Sequence, residues 1–372
     1  MKLTIERATL LRSLAHVQSV VERRNTIPIL SNVKLEAHGD RLRLTATDMD
    51  LEVVEHVAAK VSAPGGTTVP AHTLYDVVRK LPEGAEILLD SIADADRIDI
   101  RCGRSRFTLP ALPVEDFPVM SGGEMAHEFR LPPGSLRNLI DRTRFAISTE
   151  ETRYYLNGIY LHHADHDGVP VLRAVATDGH RLASVEVPLP EGAADMPGII
   201  LPRKTVTEMR KLLDTAISDV LVAVSANKVR ISFDDAALTS KLIDGTYPDY
   251  QRVIPVGNDK RLDVDCRALV GAVDRVAAIC SETSRAVKLS VANGTLVLSA
   301  NSPEHGSASE ELEVQYQGDP LEIGFNSRYL LDITQQIEGG SARLDMADAG
   351  SPTLLREVGD ASALFVLMPM RV

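Results

Sequence analysis

VPAHTLYDVVRKL, residues 69–81, recurs in altered form as LPRKTVTEMRKLL at 201–213 and FNSRYLLDITQQI at 325–337. An acidic residue keeps its place in all three: Asp76, Glu208 and Asp332, at intervals of 132 and 124. An apolar residue follows each time, at Val77, Met209 and Ile333. Working outward, Leu3, Ile5, Leu10 and Leu14 return as Phe129, Leu131, Leu136 and Ile140, and again as Leu262, Val264, Leu269 and Val273. Each copy reads as a strand, a turn and an amphipathic helix, because Leu10 and Leu14 stand at the i,i+4 spacing of one helix face. Ala46-Thr47-Asp48, Ala176-Thr177-Asp178 and Ala300-Asn301-Ser302 form a third set, and Phe117-Pro118 and Tyr247-Pro248 a fourth.

Repeats of this length imply that one structural unit is used three times. The polar, Gly-containing connectors 121–127 (SGGEMAH) and 254–260 (IPVGNDK) place domains at 1–121, 127–254 and 260–372. Period-2 runs such as RLRLTAT (41–47), RIDIR (97–101), LVAVS (221–225), VRISF (229–233), KLSV (288–291) and TLVLS (295–299) predict strands with one buried face. Gly39-Asp40, Asn293-Gly294 and Pro64-Gly65-Gly66 predict turns. Each domain is therefore α+β, two helices packed on one side of antiparallel sheets.

Composition bounds the function. The chain has 372 residues, 44% of them hydrophobic, with no Trp, so Leu, Val, Ile and Ala must build the cores. No stretch approaches the roughly 20 apolar residues of a membrane span, and the charged N-terminus MKLTIERATLLRSL lacks the apolar core of a secretory signal. Cys102, Cys266 and Cys280 form no CxxC pair, as expected of a reduced cytosolic chain.

A net charge of −12 argues against nucleic acid until its distribution is considered. Over the predicted helices 7–24, 72–81, 135–144, 203–214, 267–278 and 327–337, Lys and Arg outnumber Asp and Glu sixteen to seven. Basic helices with acidic sheets suit a ring whose helices face phosphates. Two chains of three domains would line such a ring with twelve helices. At roughly 9 Å spacing their axes fit a circle about 35 Å across, and helix radii leave about 25 Å. That passes a duplex of roughly 20 Å with water to spare.

The whole chain resembles the bacterial DNA polymerase III beta subunit family. The resemblance is carried by Arg24-x-Thr26-Ile27-Pro28-Ile29-Leu30, Arg104-Ser105-Arg106-Phe107, RYYLNG (153–158), ATDGHRL (176–182), KLIDGTYPDYQRVIP (241–255) and MPMRV (368–372). It implies three DNA-clamp domains per chain and a head-to-tail homodimeric ring. The ring would encircle double-stranded DNA without reading sequence, and it would act in the cytoplasm at the nucleoid. No cofactor and no catalytic site are implied. Partners would be the replicative polymerase, the clamp-loader ATPase, repair polymerases, and mismatch-repair and ligase proteins, each inserting a short peptide with hydrophobic anchors.

Carried over residue by residue, the peptide pocket is Leu156, Thr177, Gly179, His180, Arg181, Leu182, Pro248, Arg252, Val253, Val366, Met368, Pro369, Met370 and Arg371. Polarizable methionines suit a site that accepts several peptides, and Arg181, Arg252 and Arg371 are expected to bond peptide carbonyls or acidic side chains. By the same resemblance DNA contacts fall to Arg24, Tyr154 and Tyr155, with His72 and Glu150 standing where members of the family can carry Arg and Gln. Phe107 and Leu109 would pack on Ile279 and Cys280 of the partner chain.

A competing reading is a metal-dependent nucleic-acid enzyme. Its raw material is His162-His163-x-x-His166 with Asp165 and Asp167, Asp48-x-Asp50, Asp94-x-Asp96, and His180 beside Asp178. The histidines read as a solvated hairpin loop, and Asp48 as a turn position shared with Asp178. No GxSxG or GxxxxGK[ST] motif is present.

Overall fold

The computed structural model describes residues 1–91, 96–120, 123–281 and 285–372. Asp94 of the Asp94-x-Asp96 pair, and Ser121 and Gly122 of the first connector, lie outside the described residues. Among the described residues six α-helices form: α1 (Arg7–Val20), α2 (Ala71–Lys80), α3 (Pro133–Asp141), α4 (Arg203–Leu213), α5 (Cys266–Ala277) and α6 (Ser327–Thr334). Each falls on a predicted stretch. The chain divides into two compact units, one comprising Met1–Arg137, Pro190–Pro197 and Lys204–Leu242, the other Asn138–Leu189, Gly198–Arg203 and Ile243–Val372. The division runs through the second repeat, because its strands extend sheets begun by its neighbours in sequence.

In the first unit a five-stranded sheet has the order Lys60–Ala63, Lys2–Glu6, Glu86–Asp90, Arg97–Cys102, Ser105–Pro110. An eight-stranded sheet runs His127–Leu131, Val220–Val224, Lys228–Phe233, Ala236–Lys241, Leu51–Ala58, Arg41–Thr47, Asn32–His38, Gly65–Pro70. Its two halves join antiparallel, Leu238 opposite Val53. Helices α1 and α2 pack on each other, and α1 also covers the 41–47 and 51–58 strands. Leu10, Leu14, Val17, Leu74 and Val78 are fully buried there. Truncating Leu10 or Leu14 to Ala would cost about 2–5 kcal/mol.

The second unit repeats the scheme. Its nine-stranded sheet runs Ile199–Pro202, Gly158–His166, Val169–Thr177, Arg181–Pro188, Ala363–Leu367, Thr353–Glu357, Ser341–Met346, Lys260–Asp265, Gln315–Gln317. Here too two repeats join antiparallel, Leu182 opposite Val366. A four-stranded sheet follows the order Gly306–Glu313, Thr295–Ser302, Ala286–Ala292, Leu321–Asn326. Helices α5 and α6 pack on each other through buried Leu269, Val273, Leu330 and Ile333.

One rule governs both joints. The strand after the Ala-Thr-Asp turn of one repeat pairs with the last hairpin strand of the next: Leu51–Ala58 with Ala236–Lys241, and Arg181–Pro188 with Ala363–Leu367. Two strands of these types end as sheet edges, Ser105–Pro110 in the first repeat and Gly306–Glu313 in the third.

Some expectations need correction. Helix α1 stops four residues early, at Val20, with Val21 already extended (φ −74°, ψ 119°). Two β-branched residues weaken the helix here, and its last carbonyls have tertiary partners. Lys204 Nζ donates to Val20 O at 3.1 Å, and His72 Nε2 donates to Val21 O at 2.9 Å. Arg23 and Arg24 consequently lie outside the α-helices, as do Arg142 and Arg144 because α3 ends at Asp141, with Arg144 opening a 3₁₀ turn. Gly65 and Gly66 open a strand and do not form a turn.

Candidate partner-binding and nucleic-acid surfaces

The Ala-Thr-Asp sets prove to be one turn built twice from the same bonds. Thr177 Oγ1 donates to Arg181 O at 2.8 Å, as Thr47 Oγ1 does to Leu51 O at 2.8 Å. Asp178 Oδ1 accepts from the amides of His180 and Arg181, as Asp48 Oδ1 does from those of Asp50 and Leu51. The turn needs a left-handed residue, supplied by Gly179 (φ +88°) and in the first copy by Met49 (φ +76°). A Cβ at Gly179 would also lie 2.8 Å from Arg153 Nη1.

Most of the predicted pocket residues converge around this turn. Leu156, Leu182 and Val366 are 4%, 2% and 2% exposed and share a cluster with Tyr247 and Tyr250. Around it stand exposed Pro248, Arg252, Val253 and Met368 and half-buried Pro369 and Met370. Val253 is 50% and Met368 39% exposed, large apolar groups held in water beside an apolar floor. Tyr250 opens the short 3₁₀ helix Tyr250–Val253 that carries Arg252 and Val253. Burial raises the Tyr247 phenol above its ordinary range, so it stays neutral.

The C-terminal tail is fixed at two points. Met368 N donates to His180 O at 2.9 Å, and Met370 N donates to Gly324 O at 2.8 Å. Gly324 is required for the second contact, since a Cβ there would lie 2.3 Å from Val372 Cγ1 and 2.7 Å from Met370 O.

Arg181 does not take the role expected of it. Its Nε bonds Asp178 at 3.2 Å, its Nη1 bonds Asp332, and its Nη2 donates to Phe145 O at 2.7 Å. Its guanidinium lies 4.3 Å from the Tyr329 ring centre, and its side chain is 10% exposed. It clamps the turn to α6 and is not a rim donor. Arg252 pairs with Asp249 at 2.8 Å but stays 83% exposed, and Arg371 is exposed.

The predicted DNA residues fall into two groups. In the first unit Arg24 is exposed just beyond α1, while His72 is engaged by Val21 O. In the second unit Tyr154 is 53% exposed. Tyr155 packs on the pocket cluster, its ring 5.7 Å from that of Tyr154. Both belong to a 3₁₀ turn, not to a strand. Glu150 forms a bidentate pair with Arg153 at 2.8 and 2.6 Å, and this hydrogen bonding lowers its carboxyl pKa. The basic excess of the helices is likewise partly committed: Arg7 donates to Val78 O and Arg79 O, and Arg137 to Leu213 O. These arginines cap the ends of α2 and α4, where carbonyls attract cations.

Phe107 and Leu109 are half-buried on the edge strand Ser105–Pro110 of the first unit. Ile279 and Cys280 are half-buried just past α5 in the second unit, and burial raises the Cys280 thiol pKa. The histidine motif is not a loop. His162, His163 and His166 belong to the Gly158–His166 strand, and the turn is Asp167-Gly168. His162 bonds Tyr250 and His166 bonds Glu186. Among the described residues no group of His, Cys, Asp and Glu is arranged to hold a metal ion. No helix of the described chain is long and apolar enough to cross a membrane.

Sequence reading missed Tyr247, Tyr250, Gly324, Tyr329 and Asp332 as parts of this site. Two had a usable signal, since Tyr247 and Asp332 both occupy repeat positions.

Comparison with known proteins agrees over the full length. Family models described as the N-terminal, central and C-terminal domains of the DNA polymerase III beta subunit match residues 1–121, 130–249 and 251–371. The beta sliding clamp of Caulobacter vibrioides is 56% identical over 372 residues, covering 100% of both chains. A solved Caulobacter crescentus beta sliding clamp with bound polyethylene glycol aligns at TM-score 0.97 and 56% identity, covering 100% of this chain and 99% of the other. A Bartonella birtlesii sliding clamp bound to griselimycin aligns at 0.96 and 49% identity, covering 100% of both. These relatives give no support to a metal-dependent enzyme. The chain belongs to the DNA polymerase III beta subunit family, the DNA sliding clamps, which are processivity factors and not catalytic enzymes.

Proposed function

We propose that two copies of this chain, each of three homologous domains (1–121, 127–254 and 260–372), close head-to-tail into a ring around duplex DNA. The observation that carries this is the strand rule. Two inter-repeat joints use it, and the strands left over for a third are the edges Ser105–Pro110 and Gly306–Glu313. Joining one chain's first edge to the other's second satisfies the rule twice more and leaves neither edge open. Their exposed charges are opposite: Arg104 and Arg106 against Glu311 and Glu313, while Glu310 is already paired with Arg275. Phe107 and Leu109 then pack near Ile279 and Cys280.

In this reading the ring acts on DNA in the bacterial cytoplasm, at the nucleoid. Arg24 and Tyr154 meet the duplex without reading bases, His72 plays a structural part, and Arg153 offsets Glu150. The groove over Leu156, Leu182 and Val366 takes hydrophobic peptide anchors from the replicative polymerase, the clamp loader and repair proteins. Tethering raises the polymerase's effective concentration at the primer end. Small-angle scattering on the purified chain tests the ring: a dimer with a hollow centre is expected, and a compact monomer refutes it.

A further inference from the structure

Behind the groove lies a buried polar network that none of these assignments uses. Arg173 is 9% exposed, on the Val169–Thr177 strand opposite Glu186. Its Nε donates to Glu186 at 2.6 Å, its Nη2 to Asp165 O at 3.3 Å, and its Nη1 to the Tyr250 hydroxyl at 3.0 Å. The other oxygen of Glu186 accepts from His166 Nδ1. The Tyr250 hydroxyl also lies 3.0 Å from His162 Nε2. Because His162 Nδ1 donates to His163 O at 2.7 Å, Nε2 of the neutral ring is the acceptor of the Tyr250 proton. The His162 ring stacks on Tyr160 at 4.5 Å, and Tyr160 stacks on Tyr247 at 4.7 Å. Thus Tyr250 and Tyr247, which flank Pro248 and hold up Arg252 and Val253, rest on this network.

We propose that Arg173, Tyr250 and neutral His162 are positioning residues that set the 247–253 wall of the peptide groove, and that acid weakens peptide binding by protonating His162. The proposal rests on reading residues 248–253 as a groove wall. The bond pattern forces the sign. A protonated His162 carries a hydrogen on Nε2 and points it at the Tyr250 oxygen, which already accepts from Arg173. The Tyr250 proton then has no acceptor, and two cations face one hydroxyl. The groups around His162 are Tyr250, Arg173, Tyr160, Tyr247, His163 and, across the sheet, Glu186. Burial holds the His162 pKa below its ordinary value, so the bonded neutral form is present at neutral pH and lost as pH falls. His166, on the far side of Glu186, bonds that carboxylate and not Tyr250.

The test is calorimetric titration of griselimycin into the full chain at pH 7.5, 6.5 and 5.0. Wild type should bind several-fold more weakly at pH 5.0. Y250F should bind roughly three- to tenfold more weakly at pH 7.5, since it strands a buried cationic donor, and its pH dependence should flatten. H162Q removes the titrating ring, so whatever its affinity at pH 7.5, the ratio of its affinities at pH 7.5 and 5.0 should fall to near one, a result that a merely structural role would not give. H166Q should retain the acid weakening. If Y250F fails to fold, H162Q carries the test alone. Wild-type acid weakening that persists in H162Q, or no weakening in wild type, overturns the proposal while leaving the groove intact. Wild-type binding that is absent, or that ignores V253D on the rim, overturns the groove reading and the proposal with it.

Discussion

Replacing Arg181 with Lys keeps the charge and removes the geometry. The guanidinium holds Asp178, Asp332 and Phe145 O at once and stacks on Tyr329. A compact ammonium, lacking the planar fork, can keep about one of these bonds. Two are lost, at least one of them charge-assisted, in a place where the arginine side chain is 10% exposed and Asp178 16%. Such bonds contribute roughly 1.5–3 kcal/mol each when a charged group is involved. Asp332 is 28% exposed and can recover water, so the net loss is nearer 2–4 kcal/mol. That energy holds the 177–182 turn against α6, and through His180 O it holds Met368. Hydrogen exchange measures it directly. In R181K the amides of residues 180, 181 and 368 should exchange roughly 30- to 700-fold faster, at about 1.4 kcal/mol per decade. Amides of the Thr295–Ser302 strand should not change. If the turn amides move less than about threefold, Arg181 is not the clamp and belongs at the rim after all.

Other outcomes follow from the same structure. G324A should release the tail, making Arg371 and Val372 faster substrates for carboxypeptidase while the dimer persists; unchanged digestion would contradict the tail contact. Reversing the first edge with R104E and R106E should weaken the dimer at least about tenfold in sedimentation, more at low salt than at high salt; an unchanged dimer would reject the edge pairing. Burial raises the Glu52 carboxyl pKa, so its ionised form penalises the native state above that raised value and not below the ordinary one. E52Q should therefore raise the melting temperature at pH 7.5, with the gain vanishing as pH falls below the usual carboxylate range; a constant gain would mean that the effect is not titration.

The repeats made the secondary structure legible. Apolar spacing located each helix to within a few residues, and the Ala-Thr-Asp sets marked a turn whose bonds recur atom for atom in two repeats. What the sequence could not disclose was set by partners far along the chain. Helix α1 ends where Lys204 and His72 take its carbonyls, and no local pattern announces that. Arg181 read as an available donor because Asp332 is 151 positions away. The histidines at 162–166 read as solvated because Tyr250 and Glu186, which engage two of them, lie on other elements. Basic helical residues read as phosphate contacts until Arg7, Arg137 and Lys204 were found on helix ends.

The ring itself is tested most directly by topology. The chain would be loaded on nicked circular plasmid by a clamp loader with ATP, and the DNA would then be cut once. The account predicts retention on the circle and loss from the linear ends at a rate that ignores sequence. Equal retention on linear DNA, or cleavage of the plasmid with Mg²⁺ alone, would contradict it.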